Sequence, residues 1–348
     1  MKFLKSLSKN RFYFYIVLIV SIILLIASFI TAISLGALDI SISDTYRVVI
    51  GKIFNNPKLY SNVKKVNTLV IWNLRMPRVL LGLVAGAGLA LCGCVMQATV
   101  NNPISEPYIL GVSSGATFGA TLIIAVGLKM AVSLGAFLGA LLATILVLMI
   151  ANKKGKMTTT RLILSGTVVN ALFSAFANFI ISIWANSDSI MTIKFWTMGA
   201  LTNASWDNIW LPVIIVGLAI IFFLTQYRVL NTMMLGDEVA TTLGINLSKY
   251  RIIYMIIIAV LTGVLVSACG IIGFVGLVIP HISRGIVGTN YKKLMPIVII
   301  FGAIFLIWAD VLARIVIENS ELPIGIFTAI VGAPFFIYIV AKKGYGSK

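Results

Sequence analysis

The sequence predicts an all-α membrane protein with about ten transmembrane helices. The chain has 348 residues, of which 60% are hydrophobic and only 11% charged, whereas about a quarter are charged in a typical soluble domain. Its mean hydropathy is +1.06. Charge-free stretches recur that are long enough to span a hydrocarbon core of about 30 Å, which needs about 20 helical residues. These observations exclude a soluble globular fold.

The predicted spans follow these apolar stretches in order. Four basic residues precede the first, which resembles a secretory signal with a small-residue cleavage site at 32–34. Its apolar run exceeds the roughly 7–15 residues of a signal, so a retained span is favoured. The eighth is short and interrupted by Gly273, Gly276 and Pro280. The ten spans are 12–35, 77–100, 108–127, 130–151, 160–183, 207–227, 250–269, 271–288, 294–316 and 323–342.

Positive charges predict the orientation of the bundle. With the N-terminus in the cytoplasm, 17 of the 27 Lys and Arg residues lie on the cytoplasmic side. Seven of the other ten lie within residues 39–78, and without them the ratio is 17 to 3, as the positive-inside rule requires. Residues 1–348 then form one transmembrane domain. Its cytoplasmic parts are 1–11, 228–250 and 343–348, its bundle is 12–342, and its external segment is 36–76.

Several kinds of chemistry are excluded or disfavoured. The basic residues flank apolar runs instead of forming one basic face, so nucleic acid is not a predicted partner. Cys92, Cys94 and Cys269 all lie inside spans, which argues against a disulfide framework or a metal site. The chain lacks the G-x-x-x-x-G-K-[S/T] phosphate loop, so it does not bind ATP by that route.

Two other classes of function have partial signals in the sequence. Residues 111–115, GVSSG, fit the G-x-S-x-G pattern of serine hydrolases, and His281 is the one histidine, but that pattern requires a strand-to-helix turn. An ion-coupled carrier usually places ionisable groups within the membrane. Asp310 is the one acidic residue well inside a span, and Arg314, four residues later, can pair with it on the same helix face.

The cytoplasmic segment 228–250 has a helical pattern of its own. Leu235, Val239, Thr242 and Leu243 fall on one face. A helix that lies on a membrane surface favours a basic polar face, whereas this one carries two acidic residues. The pattern therefore indicates a helix whose apolar face enters a groove of a soluble partner.

Five motifs resemble the FecCD-type permeases, the membrane subunits of ATP-binding-cassette (ABC) importers for iron chelates, haem and vitamin B12. The resemblance covers about residues 70–342, nearly the whole chain. It implies a type II importer permease fold, no catalysis by the chain itself, and a location in the bacterial cytoplasmic membrane. The motifs are LRMPRVLLGLVAGAGLALCGCVMQ (74–97), NNPISEPYILGVSSGA (101–116), LGDEVATTLGIN (235–246), GIIGFVGLVIPHISR (270–284) and ADVLAR…ELPIGIFTAIVGAPFF (309–336).

The resemblance also implies partners and cargo. Two permease subunits, identical or paralogous, would enclose one pathway above two ATPase subunits, which bind the ATP and Mg²⁺. An extracytoplasmic binding protein would supply a ferric siderophore, with haem and cobalamin as alternatives.

The same resemblance assigns roles to individual residues. A cytoplasmic gate falls on Asn102, Ile104, Thr159 and Thr160. Docking of the binding protein falls on Arg75, Arg78 and Arg314. Coupling to the ATPase falls on Leu235, Gly236, Asp237, Glu238, Val239, Ala240, Leu243 and Gly244.

Overall fold

All of the regular secondary structure in the described part of the chain is helical. A computed structural model describes residues 11–36, 38–128, 131–153, 158–184, 186–317 and 321–343. The predicted N-terminal charges before residue 11, the tail after residue 343 and the side chains of Asp237 and Glu238 lie outside this description.

The helices are numbered in chain order. The helix Lys65–Thr99 contains a π-helical stretch, Val70–Arg75, and the helices Trp210–Thr225 and Tyr227–Met233 meet at a bend of 68°. The bounds are α1 Arg11–Ser34, α2 Ile42–Ile53, α3 Lys65–Thr99, α4 Val112–Ala125, α5 Val132–Ala151, α6 Thr159–Trp184, α7 Ser187–Thr197, α8 Trp210–Thr225, α9 Tyr227–Met233, α10 Asp237–Thr242, α11 Leu247–Cys269, α12 Val275–Val287, α13 Tyr291–Ile315 and α14 Ile324–Lys343.

Every predicted span has a helical counterpart. In the described residues, six helices are long and apolar enough to cross a membrane, and the bent pair α8–α9 makes a seventh. The other three, within α4, α12 and α14, are shorter apolar helices. Two of them begin later than predicted, at Val112 and Val275, because the chain ahead of each is folded but not α-helical.

Close contacts between glycines hold the central helices together. A methyl carbon at Gly93 of α3 would clash with the carbonyl oxygen of Gly276 in α12, and one at Gly119 of α4 would clash with that of Gly135 in α5. Small residues allow membrane helices to approach this closely. Cys92 and Cys94 of α3 and Cys269 of α11 are buried, as their positions inside apolar spans predict.

The helix ends lie at two opposite ends of the bundle. At one, Thr159 and Arg251 hydrogen-bond to the last residues of α3. At the other, Arg78 of α3 meets Asp310 of α13. We call the first the gate end, formed by residues 99–104, 158–161, 226–251 and 288–293. We call the second the arginine end, formed by residues 34–36, 38–78, 200–210, 310–317 and 321–325.

Candidate functional site

The turn after α3 folds back into the bundle. Asn101 has a left-handed backbone (φ 50°), and the chain then returns through a 3₁₀ turn, Pro107–Leu110. Ser105 and Leu110 are fully buried, and the carbonyl oxygen of Ile109 lies against Gly166 of α6. The two prolines of this turn exclude a continuous helix. The stretch is thus an element packed within the protein rather than a simple surface turn.

This element holds the second irregular stretch of the bundle, residues 270–274. The Tyr108 hydroxyl donates to the Ile272 carbonyl oxygen at 2.9 Å and accepts from the Ile272 N–H at 3.1 Å. The Glu106 carboxylate accepts from the Phe274 N–H at 2.9 Å. Irregular backbone at membrane depth must be satisfied by protein or water, and these two side chains supply such partners.

Glu106 lies beside the start of α12. Gly270, with φ 69°, ends α11, and Phe274, with φ 67°, precedes the first residue of α12. The first N–H groups of a helix have no partner within the helix, and negative charge is stabilised there. The Phe274 side chain packs against Gly332 of α14, so Glu106 links the turn after α3 to both α12 and α14.

The predicted gate residues come together at the gate end. The Thr159 hydroxyl, at the first residue of α6, donates to the Val100 carbonyl oxygen at 2.8 Å. The side-chain oxygen of Asn102 accepts from the Ile104 N–H at 3.1 Å, and the Ile104 side chain is 41% exposed. Thr160 is exposed beside Thr159. The two predicted halves of the gate are therefore adjacent.

The coupling segment projects from the same end. Gly236 (φ 94°) and Gly244 (φ 73°) flank the six-residue helix α10, and a left-handed backbone favours glycine at both positions. The three predicted apolar side chains Leu235, Val239 and Leu243 are 62%, 42% and 60% exposed. The chain itself leaves this apolar face uncovered.

The opposite face of this segment is anchored to the bundle. Ala240 is buried, as is Leu247 at the start of α11. The Asn231 side chain of α9 accepts from the Tyr291 N–H at 3.0 Å, which joins the segment to α13. The segment is thus joined to α13 through α9 and continues into α11.

The predicted docking arginines are mostly buried at the arginine end. Arg75 donates to the carbonyl oxygens of Ile33, Ser34 and Leu38 at 2.5–3.1 Å. Arg314 donates to those of Ala32 and Leu35 at 3.1 and 2.9 Å. Both guanidinium groups thus fix the chain that leaves α1.

Arg78 completes a buried charge cluster. Its guanidinium lies 2.9 Å from Asp310 and 2.9 Å from the half-exposed Glu321. Asp310 also pairs with Arg314 at 3.1 Å, as the spacing of four residues predicts. A direct docking role for the three arginines stays a prediction, since the observed contacts are internal.

The hydrogen bonds from Glu106 and Tyr108 to residues 270–274 were not predicted from the sequence. The motif containing both residues stood out, but the prediction placed the gate at Asn102 and Ile104. A charged residue between two prolines in an apolar region was the available signal. The hydrogen-bond partners of Glu106 and Tyr108 lie about 165 residues away in the chain, and the local sequence pattern does not identify them.

Comparison with known proteins identifies the family. The FecCD transport family matches residues 24–342. The chain belongs to this family. The Fe(3+)-citrate import system permease protein YfmD of Bacillus subtilis is 37% identical over 336 residues, which cover 95% of each chain. The cobalamin import system permease protein BtuC of Halobacterium salinarum is 38% identical over 290 residues, 82% of this chain and 77% of that one.

A solved structure shows the same fold. It is described as an inward-facing conformation of a metal-chelate type ABC transporter, and it matches with a TM-score of 0.82 at 30% identity, over 93% of this chain and 98% of that one. This FecCD chain is thus a non-catalytic, multi-pass permease subunit of an ABC importer in the cytoplasmic membrane. Its partners include an ATPase and a substrate-binding protein.

The hydrolase hypothesis finds no support in the geometry. The GVSSG residues begin helix α4 rather than a strand-to-helix turn. Ser114 donates to the Asn170 side chain at 2.6 Å and to the Gly111 carbonyl oxygen at 3.2 Å. Ser114 thus joins α4 to α6, and small residues in membrane helices commonly allow such close packing.

Proposed function

We propose that this FecCD permease moves a ferric siderophore-type chelate. Transport is driven by two ATPase subunits, and α10 binds in a groove of the ATPase. The observation that carries the proposal is the exposed apolar face of α10 at the gate end, next to the Thr159–Val100 contact. An amphipathic helix that lies in a groove of a partner is a common recognition mode. The citrate-chelate relative supports an iron cargo, whereas the cobalamin relative supports cobalamin as the alternative. Haem stays an alternative that follows from the family resemblance alone.

A second permease subunit would complete the pathway. Only 28% of the most apolar part of α6 is buried by the chain itself, compared with 89% for α3. Leu164, Val168 and Phe179 are 59–63% exposed along α6, and this helix starts at the proposed gate residue Thr159. We place the partner permease, a second copy or a paralogue, against α6.

The function is tested by uptake into proteoliposomes. The permease is reconstituted with its cognate ATPase and binding protein, and uptake of ⁵⁵Fe-siderophore and of radiolabelled cobalamin is compared. Iron uptake that requires ATP and both partners is expected. Preferred uptake of cobalamin would establish the alternative cargo, and uptake by the permease alone under an ion gradient would contradict the ABC mechanism.

The gate assignment predicts that Thr159→Val uncouples the transporter. The substitution removes the 2.8 Å hydrogen bond to Val100 but keeps the size of the side chain, at a cost of about 0.5–1.5 kcal/mol, or roughly 2- to 10-fold in an equilibrium. We expect substrate-independent ATPase activity and passive leak to rise by about that factor. Thr159→Ser keeps the hydroxyl and serves as the matched control. A valine variant with the leak and basal ATPase rate of the serine variant would remove Thr159 from the gate.

A further inference from the structure

The external basic segment has an exposed surface that the importer function does not explain. Five of the seven basic residues that depart from the positive-inside pattern are exposed, and no ion pair joins them to any other described residue. They are Arg47, Lys52, Lys58, Lys64 and Lys65. The other two, Arg75 and Arg78, are engaged internally.

Large apolar side chains are exposed beside these cations. Along α2, Ile42, Tyr46 and Ile53 are 56–58% exposed and share one helical stripe, and Phe54 directly after it is 72% exposed. The other side of the helix is used internally, because Val48 is buried against Ile33 and Ile71. The segment therefore has one face packed on the protein and a second apolar face without a cover.

A tryptophan cluster locates this segment relative to the bilayer. Trp72 and Trp206 lie 5.0 Å apart between ring centroids, Trp210 follows at 6.3 Å from Trp206, and the Trp206 indole donates to the Trp72 carbonyl oxygen at 2.8 Å. Tryptophans concentrate at the membrane–water interface. The helix α2 packs against Val70–Arg75, the stretch that contains Trp72, so it lies at the level of the lipid headgroups.

The length of α3 agrees with this placement. Its 35 residues extend about 52 Å at 1.5 Å per residue, which exceeds the roughly 30 Å of the hydrocarbon core. Since α3 ends at the gate end with Thr99, its first residues, from Lys65, project beyond the core at the arginine end. The cations near α2 are thus in reach of phosphate groups.

We infer that residues 42–65 form an interfacial segment that binds the phosphates of anionic phospholipids through the five cations. The segment inserts the side chains of Ile42, Tyr46, Ile53 and Phe54 into the headgroup layer. Interfacial helices combine such cations with exposed apolar side chains. Protein–protein interfaces, in contrast, are depleted of lysine, and four of these five cations are lysines. The combination of lysines and exposed apolar side chains therefore favours lipid, rather than the binding protein, as the partner of this surface.

The test uses full-length protein labelled at Phe54→Cys with an environment-sensitive fluorophore, since the native cysteines are buried. The protein is reconstituted in vesicles of equal parts phosphatidylcholine and phosphatidylglycerol, with shallow spin-labelled quenchers on either lipid. We expect the phosphatidylglycerol quencher to be preferred about fivefold or more, as one cation contributes about that factor. Gln in place of all five cations should abolish the preference, and a probe at Leu243→Cys, an exposed apolar position on the coupling segment, should show none.

Each other result overturns the inference. Equal quenching by the two lipids at Phe54, or a preference unchanged in the five-fold Gln variant, would show that the cations do not bind the phosphates. A Phe54 probe that lipid does not quench but that the soluble binding protein shields would make this surface a protein docking site. Because all substituted side chains are exposed, a monodisperse elution profile is expected for every variant.

Discussion

Leu243→Asp is expected to abolish ATP-driven uptake while the permease still folds. Leu243 is 60% exposed, so the substitution costs little within the chain, but it places a carboxylate where the proposed ATPase groove receives an apolar side chain. Central apolar contacts of this kind contribute about 2 kcal/mol or more, which corresponds to roughly 30-fold weaker ATPase binding. The burial of an unpaired charge adds to that loss.

The measurement is co-purification of the ATPase with the tagged permease, followed by uptake in proteoliposomes. Ser248→Asp is the matched control, because Ser248 is exposed five residues away in the same segment and gains the same charge without loss of the apolar face. We expect the control to retain the ATPase. Normal ATPase binding by Leu243→Asp would rule out α10 as the coupling contact and, with it, the proposed mechanism of energy transfer.

The coupling segment was largely predictable from the sequence because its signals are local. The spacing of Leu235, Val239 and Leu243 defines one helical face, and Gly236 and Gly244 mark its limits. The spans were predictable for the same reason, since hydropathy depends only on neighbouring residues. The long-range contacts of Thr159 and Arg251 with the end of α3 were not visible in any such window.

The breaks inside apolar stretches were harder to predict. Residues 271–274, Ile-Ile-Gly-Phe, are as apolar as a span, yet they are not α-helical, because Gly270 and Phe274 adopt left-handed conformations.

The start of α3 was also placed too late, at residue 77. Proline inside a helix leaves a carbonyl without its usual N–H partner, and here the π-helical stretch Val70–Arg75 precedes Pro77 and carries the helix on from Lys65. Composition alone does not show this adjustment.

The arginines show where prediction of a role requires tertiary structure. The sequence placed Arg75, Arg78 and Arg314 at or near the external ends of their spans. It also indicated that Arg314 pairs with Asp310, which the structure confirms. It did not indicate that Arg75 and Arg314 would donate to carbonyl groups at and just after the end of α1. Those acceptors lie 41 and 279 residues away in the chain. The cluster therefore acts first as a structural anchor for the start of the external segment.

The anchor predicts that Asp310→Ala strongly destabilises the permease. Asp310 is 1% exposed and lies between Arg78 and Arg314. Its loss therefore leaves two largely buried guanidinium groups without the carboxylate that both contact. Removal of one partner from a buried ion pair costs about 3–5 kcal/mol, and we expect the unfolding temperature in detergent to fall by about 5 °C or more. The measurement is thermal unfolding followed by the fluorescence of a thiol dye that reacts with the three buried cysteines.

Two further variants separate charge from packing at this cluster. Asp310→Asn keeps the shape but not the charge, and it should be nearly as unstable as the alanine variant if electrostatics dominate. The double variant Asp310→Ala with Arg314→Met removes one cation together with the carboxylate, and we expect partial recovery, because apolar groups of similar volume often replace buried ion pairs at little cost. Recovery stays partial, since Ala32 and Leu35 lose their donor. An alanine variant as stable as wild type would show that the arginines are compensated elsewhere, and the cluster would then be free to meet a partner's carboxylates instead.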